Sequence, residues 1–173
     1  MTRSTQGLLN RRCSVKQLLI STFALAMVAA VGQSKSASLQ GAWQAVEVTM
    51  TGPGARTITN LRPTLTVVSG KHYARVEDQA ETPRPILADI SKASADELRA
   101  TWGPFVGEAG TYELTGETLT TRPLVSKNPA AMVTGTFIIY TCKFDGNFVT
   151  LTQQRNQSGP IANPWTIKLV RVE

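Results

Sequence analysis

Few side chains in this sequence are equipped for chemistry, and their spacing limits what each can do. His72 is the only histidine in the chain. A histidine works as a general base when a second group orients it beside a substrate. Placed just after Ser69-Gly70-Lys71, a turn composition, it reads instead as a solvated side chain. A single histidine excludes a multi-histidine metal site, and no metal ligand is assigned. Cys142 has no adjacent base and reads as a small buried hydrophobe rather than a nucleophile. Asp96-Glu97 form a carboxylate pair at the start of a helical pattern, where they complement the helix dipole. Glu108, Glu113 and Glu117 fall singly on or near strands. The sequence contains neither a glycine-rich phosphate loop nor a G-x-S-x-G elbow. No catalytic residue and no cofactor follow from it. Asn156-Gln157-Ser158 fits a glycosylation sequon and is read as a loop.

What remains is recognition by apolar and aromatic side chains at alternate positions. The pool is Val48, Leu65, Val67, Tyr73, Tyr112, Phe137, Ile139, Tyr140, Val149, Leu151 and Ile167. It draws on both faces of several strands, because a slip of one residue reverses every assignment. From it, Val67, Tyr73, Tyr112, Phe137, Ile139, Tyr140 and Leu151 are taken as the ligand-contact candidates. Tyrosines lead because each offers an apolar body and a hydroxyl.

These side chains need strands to aim them. The organising stretch is Leu39 to Met50, in which Gly41-Ala42-Trp43 is followed by alternation. Val46, Val48 and Met50 are expected on one face, with Ala45, Glu47 and Thr49 on the other. The last stretch matches it, with Trp165, Ile167, Leu169 and Arg171 sharing a face. Between them, Thr64–Val68 and His72–Glu77 read as a hairpin, with Leu65, Val67, Ala74 and Val76 on the drier side. Pro83 and Pro85 interrupt the sheet. Ser94 with Glu97 is a capping-box signature, and Leu98 and Trp102 share a helical face. One helix over Ala95–Trp102 is therefore expected, stopped at Gly103-Pro104. Leu98, Trp102, Phe105 and Val106 would form its buried side against a barrel end. Strands resume at Gly110–Leu114, Glu117–Val125, Val133–Phe144 and Asn147–Gln153, with Asp145-Gly146 as a hairpin turn. The count is about eight strands and one short helix, an all-β antiparallel up-and-down barrel. Pairing the two amphipathic terminal strands removes edges that a sandwich would leave open.

The N-terminus has a different character. Arg3, Arg11, Arg12 and Lys16 precede an uncharged apolar run, Leu18 to Gly32, and small residues follow. This is the pattern of a secretory signal peptide, and the run is shorter than the roughly 20 residues a spanning helix needs. Residues 1–37 are read as the signal, with cleavage after Gly32, Ser36 or Ala37, and residues 38–173 as one barrel domain. Arg11-Arg12 also partly resembles a twin-arginine signal, so the export route stays open between that and ordinary Sec export. The protein is expected to be exported, periplasmic or secreted, with no stable membrane span after cleavage. Five of the six excess positive charges reside in this segment. Removing its five basic residues from the total of 18 leaves 13 against 12 acidic ones. That balance carries no footprint for nucleic acid. Cys13 lies in the signal, so Cys142 stands alone without an intrachain disulfide.

The residues Gly41-Ala42-Trp43 resemble the G-x-W signature of the lipocalins and related calycins, and Arg171 resembles the late basic residue that covers that tryptophan. The Pro83–Pro85 interruption, the helix SADELRATW, AGTYEL and ETLTTRPLVSKNP are similar to the bacterial and fungal lipocalin-like domain proteins. The resemblance spans residues 39–172. The chain departs from it in having no second or third lipocalin signature and no cysteines for the usual disulfide. The resemblance implies an antiparallel barrel with a central cavity open at one end, and structural roles for Gly41, Trp43 and Arg171. It leaves the ligand open. The leading expectation is a barrel that binds a small hydrophobic molecule. Two alternatives stand beside it: a solidly packed barrel that engages a protein partner through its outer surface, and a cyclase or isomerase acting on a bound hydrophobe.

Overall fold

A computed structural model describes residues 38–173; the signal segment expected over residues 1–37 lies outside the described residues. The strands are β1 (Gly41–Met50), β2 (Arg56–Ile58), β3 (Thr64–Ser69), β4 (His72–Asp78), β5 (Phe105–Thr115), β6 (Thr118–Ser126), β7 (Ile138–Asp145), β8 (Phe148–Asn156), β9 (Gly159–Pro160) and β10 (Trp165–Arg171). The helix α1 spans Ala95–Trp102. Eight strands form a closed antiparallel ring, β1-β3-β4-β5-β6-β7-β8-β10, in which β10 pairs with both β8 and β1. Short β2 and β9 are added to β1 and β8. Closure follows from the two terminal strands: seven residue pairs join β1 to β10, from Trp43 opposite Arg171 to Met50 opposite Trp165.

The two ends of the barrel differ. Tight turns at Gly70-Lys71, Gly116-Glu117 and Gly146-Asn147 join hairpins at the end where β1 begins and β10 finishes. The long connections, residues 51–63, 79–104, 127–137 and 157–164, gather at the opposite end. Short turns seal one end and long loops surround a mouth at the other. The core sits toward the sealed end, where Leu39, Trp43, Val68, Leu119, Val149 and Leu169 pack together. Trp43 is only 1% exposed, a burial that contributes on the order of 3 kcal/mol.

Three expectations are corrected. The first concerns β1, where the register shifts between Ala45 and Glu47 and Val46 is left over as a bulge. A bulge changes the phase of alternation, so Val46 does not continue the face of Val48 and Met50. Instead Trp43 and Ala45 before it, and Val48 and Met50 after it, all turn inward. The second concerns β3 and β4, where the drier-looking residues lie outside. Leu65, Val67 and Val76 are 39%, 42% and 45% exposed. Thr64, Thr66 and Val68, with Tyr73, Arg75 and Glu77, face the interior. Val68 and Tyr73 are buried at the floor, and the period of two carries the charged residues in behind them.

The third concerns α1 and the strand after it. The helix forms over the expected residues with its capping box intact, but it buries none of its residues. Leu98 and Trp102 are too small an apolar face to seat it in the barrel. Trp102 remains 44% exposed and meets Phe105 edge-on at 6.2 Å. The helix is held electrostatically: Lys127 Nζ donates to the carbonyls of Trp102, Gly103 and Phe105, and Arg84 donates to Thr101 O. Strand β7 begins at Ile138, not Val133, because Pro129–Met132 wind into a 3-10 turn and Gly135 takes a positive φ of 86°. Among the described residues no helix is long and apolar enough to cross a membrane.

Candidate functional site

The interior is divided along the barrel axis, and each division comes from identifiable side chains. At the floor, Trp43 Nε1 donates to Leu39 O at 2.7 Å, and the Arg171 guanidinium lies 4.2 Å from the Trp43 ring centre. Arg171 also donates to the carbonyls of Ser38 and Gln40. Gly41 allows this approach. Its φ is 119°, and a Cβ there would stand 2.3 Å from Glu173 O, so a larger residue would force the two ends of the chain apart. Beside it, the Gln40 side chain exchanges two hydrogen bonds of 2.9 Å with the backbone of Gly70. The Tyr112 hydroxyl donates to Gly70 O at 3.1 Å.

Above the floor lies a small inner chamber of about 70 Å³, walled by Val68, Leu119, Leu151, Ile167 and Leu169. Its ceiling is polar. Tyr73 OH donates to Glu108 at 2.7 Å, Arg75 NH1 donates to Glu77 at 3.1 Å, and Arg75 Nε lies 3.4 Å from Glu108. Gln79 donates to the other oxygen of Glu77 at 2.9 Å. Burial, then the bond to Glu108 and its negative charge, push the Tyr73 hydroxyl far above the usual phenol range, so it stays a neutral donor. Burial likewise raises Tyr140. For Arg75, burial opposes the charge, but the carboxylates of Glu77 and Glu108 outweigh it and hold the guanidinium ionised.

Above this layer the barrel opens into an outer chamber of about 540 Å³. Val48, Met50, Ile58, Leu61, Trp165 and Ile167 supply its apolar wall. Arg75, Glu77, Tyr140 and Ile167 line both chambers. At the mouth, Asp78 sits between Arg84 at 3.3 Å and Arg62 at 3.6 Å, and Arg56 meets Glu81 at 3.6 Å. Burial disfavours the Asp78 charge, but the Ala80 amide and the two arginines more than offset this and hold its carboxyl below the ordinary range.

Of the seven contact candidates, Tyr73, Tyr112, Tyr140 and Leu151 line the inner chamber, and Tyr140 reaches the outer one as well. Val67, Phe137 and Ile139 line neither. Val67 is on the outer side of β3, Phe137 precedes β7, and Ile139 sits at a register shift before Tyr140. In the wider pool, Val48 and Ile167 line the outer chamber, Leu65 points outward, and Val149 is core. The residues missed are Arg75, Glu77, Glu108 and Arg62. The spacing Tyr73, Arg75, Glu77 was a usable signal, since anchoring the phase on the bulky Tyr73 would have turned both charges inward.

His72 is exposed beside the sealed-end turn, far along the strand from the mouth. Cys142 is buried, and its thiol is pushed up to about 11 by burial and then by Glu117. Neither side chain faces a chamber. Among the described residues no three His, Cys, Asp or Glu side chains come together to hold a metal ion. No protein-family model matches the chain, and no curated protein matches it.

Proposed function

We propose that this protein is an exported, lipocalin-like barrel that binds one small molecule, apolar along most of its length with a single polar end, in the outer chamber. The observation that carries this reading is the chamber of about 540 Å³ at the mouth, within the roughly 300–1,000 Å³ typical of ligand pockets. The inner chamber, at about 70 Å³, has room only for a few waters, so the ligand stays above the polar layer. Its apolar part lies on Val48, Met50, Ile58, Leu61 and Trp165, and its polar end meets Arg75, Glu77, Gln79 and Tyr140. The cyclase or isomerase reading has less support, because Tyr73 is committed to Glu108 and both deep tyrosines are kept neutral. The protein-partner reading draws on the exposed Leu124, Val125 and Val133, and needs no cavity.

The test is a titration with N-phenylnaphthylamine, a neutral probe whose emission rises in apolar surroundings. One probe per chain should bind, and Ile58→Trp, which narrows the chamber along its apolar wall, should weaken binding about tenfold. A surface change, Leu124→Ser, should leave it unaltered. Equal binding by Ile58→Trp, or no binding by the native chain, overturns the reading.

A further inference from the structure

We infer that the outer chamber receives the polar end of its ligand as a cation, an amine seated against Glu77 and the Tyr140 hydroxyl. This rests on the ligand-binding reading above and goes further, to the charge of the ligand. The floor of the chamber is a triad of one guanidinium and two carboxylates, Glu77–Arg75–Glu108, with contacts of 3.1 and 3.4 Å. It carries one negative charge that no cation of the triad neutralises. The mouth has the opposite triad, Arg62–Asp78–Arg84, with one positive charge in excess. Arg56 and Glu81 cancel one another at the exposed rim. The chamber is thus polarised, negative at depth and positive at the entrance.

Charge in a partly dry cavity counts for more than on the surface. An amine driven down by its apolar tail meets the excess carboxylate and neutralises it. A carboxylate travelling the same way meets Glu77, with Glu108 behind it on the wall of the inner chamber. Arg75 offers it only part of its guanidinium, because NH1 is committed to Glu77 and Nε is buried against Glu108, which leaves NH2 alone outside those two contacts. Glu77 is the only carboxylate among the described residues that lines both chambers. Asp78 and Glu81 also line the outer chamber but are paired with Arg62, Arg84 and Arg56, so Glu77 is the carboxylate that a cation meets at depth. The Tyr140 hydroxyl borders the same space and accepts a further hydrogen bond from an ammonium.

The experiment displaces N-phenylnaphthylamine with decylamine, decanol and decanoate, which share one chain length. Decylamine should act at a concentration about tenfold below decanoate, with decanol between them. Glu77→Gln should shrink that gap to about threefold or less. Gln79 is exposed, and its amide contacts Glu77. Gln79→Lys should therefore erase the gap by supplying the cation from the protein, a result that does not require Glu77→Gln to fold. Decanoate displacing the probe as well as decylamine, or an unchanged gap in Gln79→Lys, overturns the inference and leaves ligand binding standing. Failure of the probe to bind at all overturns both.

Discussion

Arg171 shows how much one side chain can carry. It stacks on Trp43, donates to the carbonyls of Ser38 and Gln40, and comes from the strand that closes the ring. A guanidinium over an indole contributes about 0.5–2 kcal/mol, and its charge-assisted hydrogen bonds add to that. Arg171→Ala should cost about 2 kcal/mol, lowering the melting temperature by roughly 4–8 °C in calorimetry. Arg171→Lys should recover only part of this, since an ammonium lacks the planar fork. A melting point unmoved by the alanine substitution would remove the floor argument. At the same scale, Gly41 cannot be replaced cheaply, because its positive φ and the nearby Glu173 carbonyl leave no space for a side chain.

Among the elements, α1 is the one whose attachment differs most from its pattern. Its capping box closes the first turn, and Asp96 and Glu97 sit at the positive end of the dipole. Its last carbonyls, Trp102 and the Gly103 cap, are bound by Lys127 just after β6, and Thr101 O is bound by Arg84 from the β4–β5 connection. With no buried residue of its own, the helix depends on those two cations. Lys127→Ala should speed amide exchange across Ala95–Trp102 by about tenfold, while the barrel melts within about 2 °C of the native protein. A large drop in melting temperature, or unchanged exchange in the helix, would show that packing holds it after all. Strand β1 makes the complementary point. One bulge residue, Val46, lets the strand turn Trp43 into the floor and Met50 into the mouth, both on the inside.

At the scale of the molecule, closure keeps the two deep tyrosines, Tyr73 and Tyr140, from titrating independently of unfolding. Tyr73, Tyr112 and Tyr140 are all the tyrosines of the chain. Burial raises each, and in Tyr73 the bond to Glu108 adds to it. The Cys142 thiol is raised to about 11 by burial and then by Glu117. In every case the folded value lies above the unfolded one, so the stabilisation is complete below the unfolded pKa. It is lost as pH rises from there toward the folded value. The window opens near pH 9 for the thiol and near pH 10 for the phenols. The melting temperature should therefore fall as pH passes about 9–10. The Tyr73 and Tyr140 tyrosinates should absorb only as far-ultraviolet dichroism is lost, in one step, whereas half-buried Tyr112 ionises ahead of them. More than one tyrosinate forming near pH 10 in a still-folded barrel would contradict the burial described.

Much of this architecture is local and was legible in the residues. Glycine-bearing turns, strict alternation in Trp165–Arg171, the Ser94–Glu97 box and the pairing of Trp43 with Arg171 each depend on neighbours in sequence or on a single register. The antiparallel barrel followed because two amphipathic terminal strands bury their free edges best against each other. Which side of a strand becomes the inside is a different kind of question. On β3 and β4 both faces carry plausible residues, Leu65 and Val67 on one, Thr64, Thr66 and Val68 on the other. Hydrophobicity favoured the first, whereas closure of the ring on Trp43, Val68 and Tyr73 selected the second. That choice brought Arg75 and Glu77 within reach of Glu108, a residue 33 and 31 positions away in the chain. It also divided the interior into an inner chamber of about 70 Å³ and an outer one of about 540 Å³. The sequence by itself determined the strands, the turns and their closure. Only the tertiary structure decided the polar layer and the chamber above it, because strand phase is set by a bulge and by the packing of the floor, which no local pattern records.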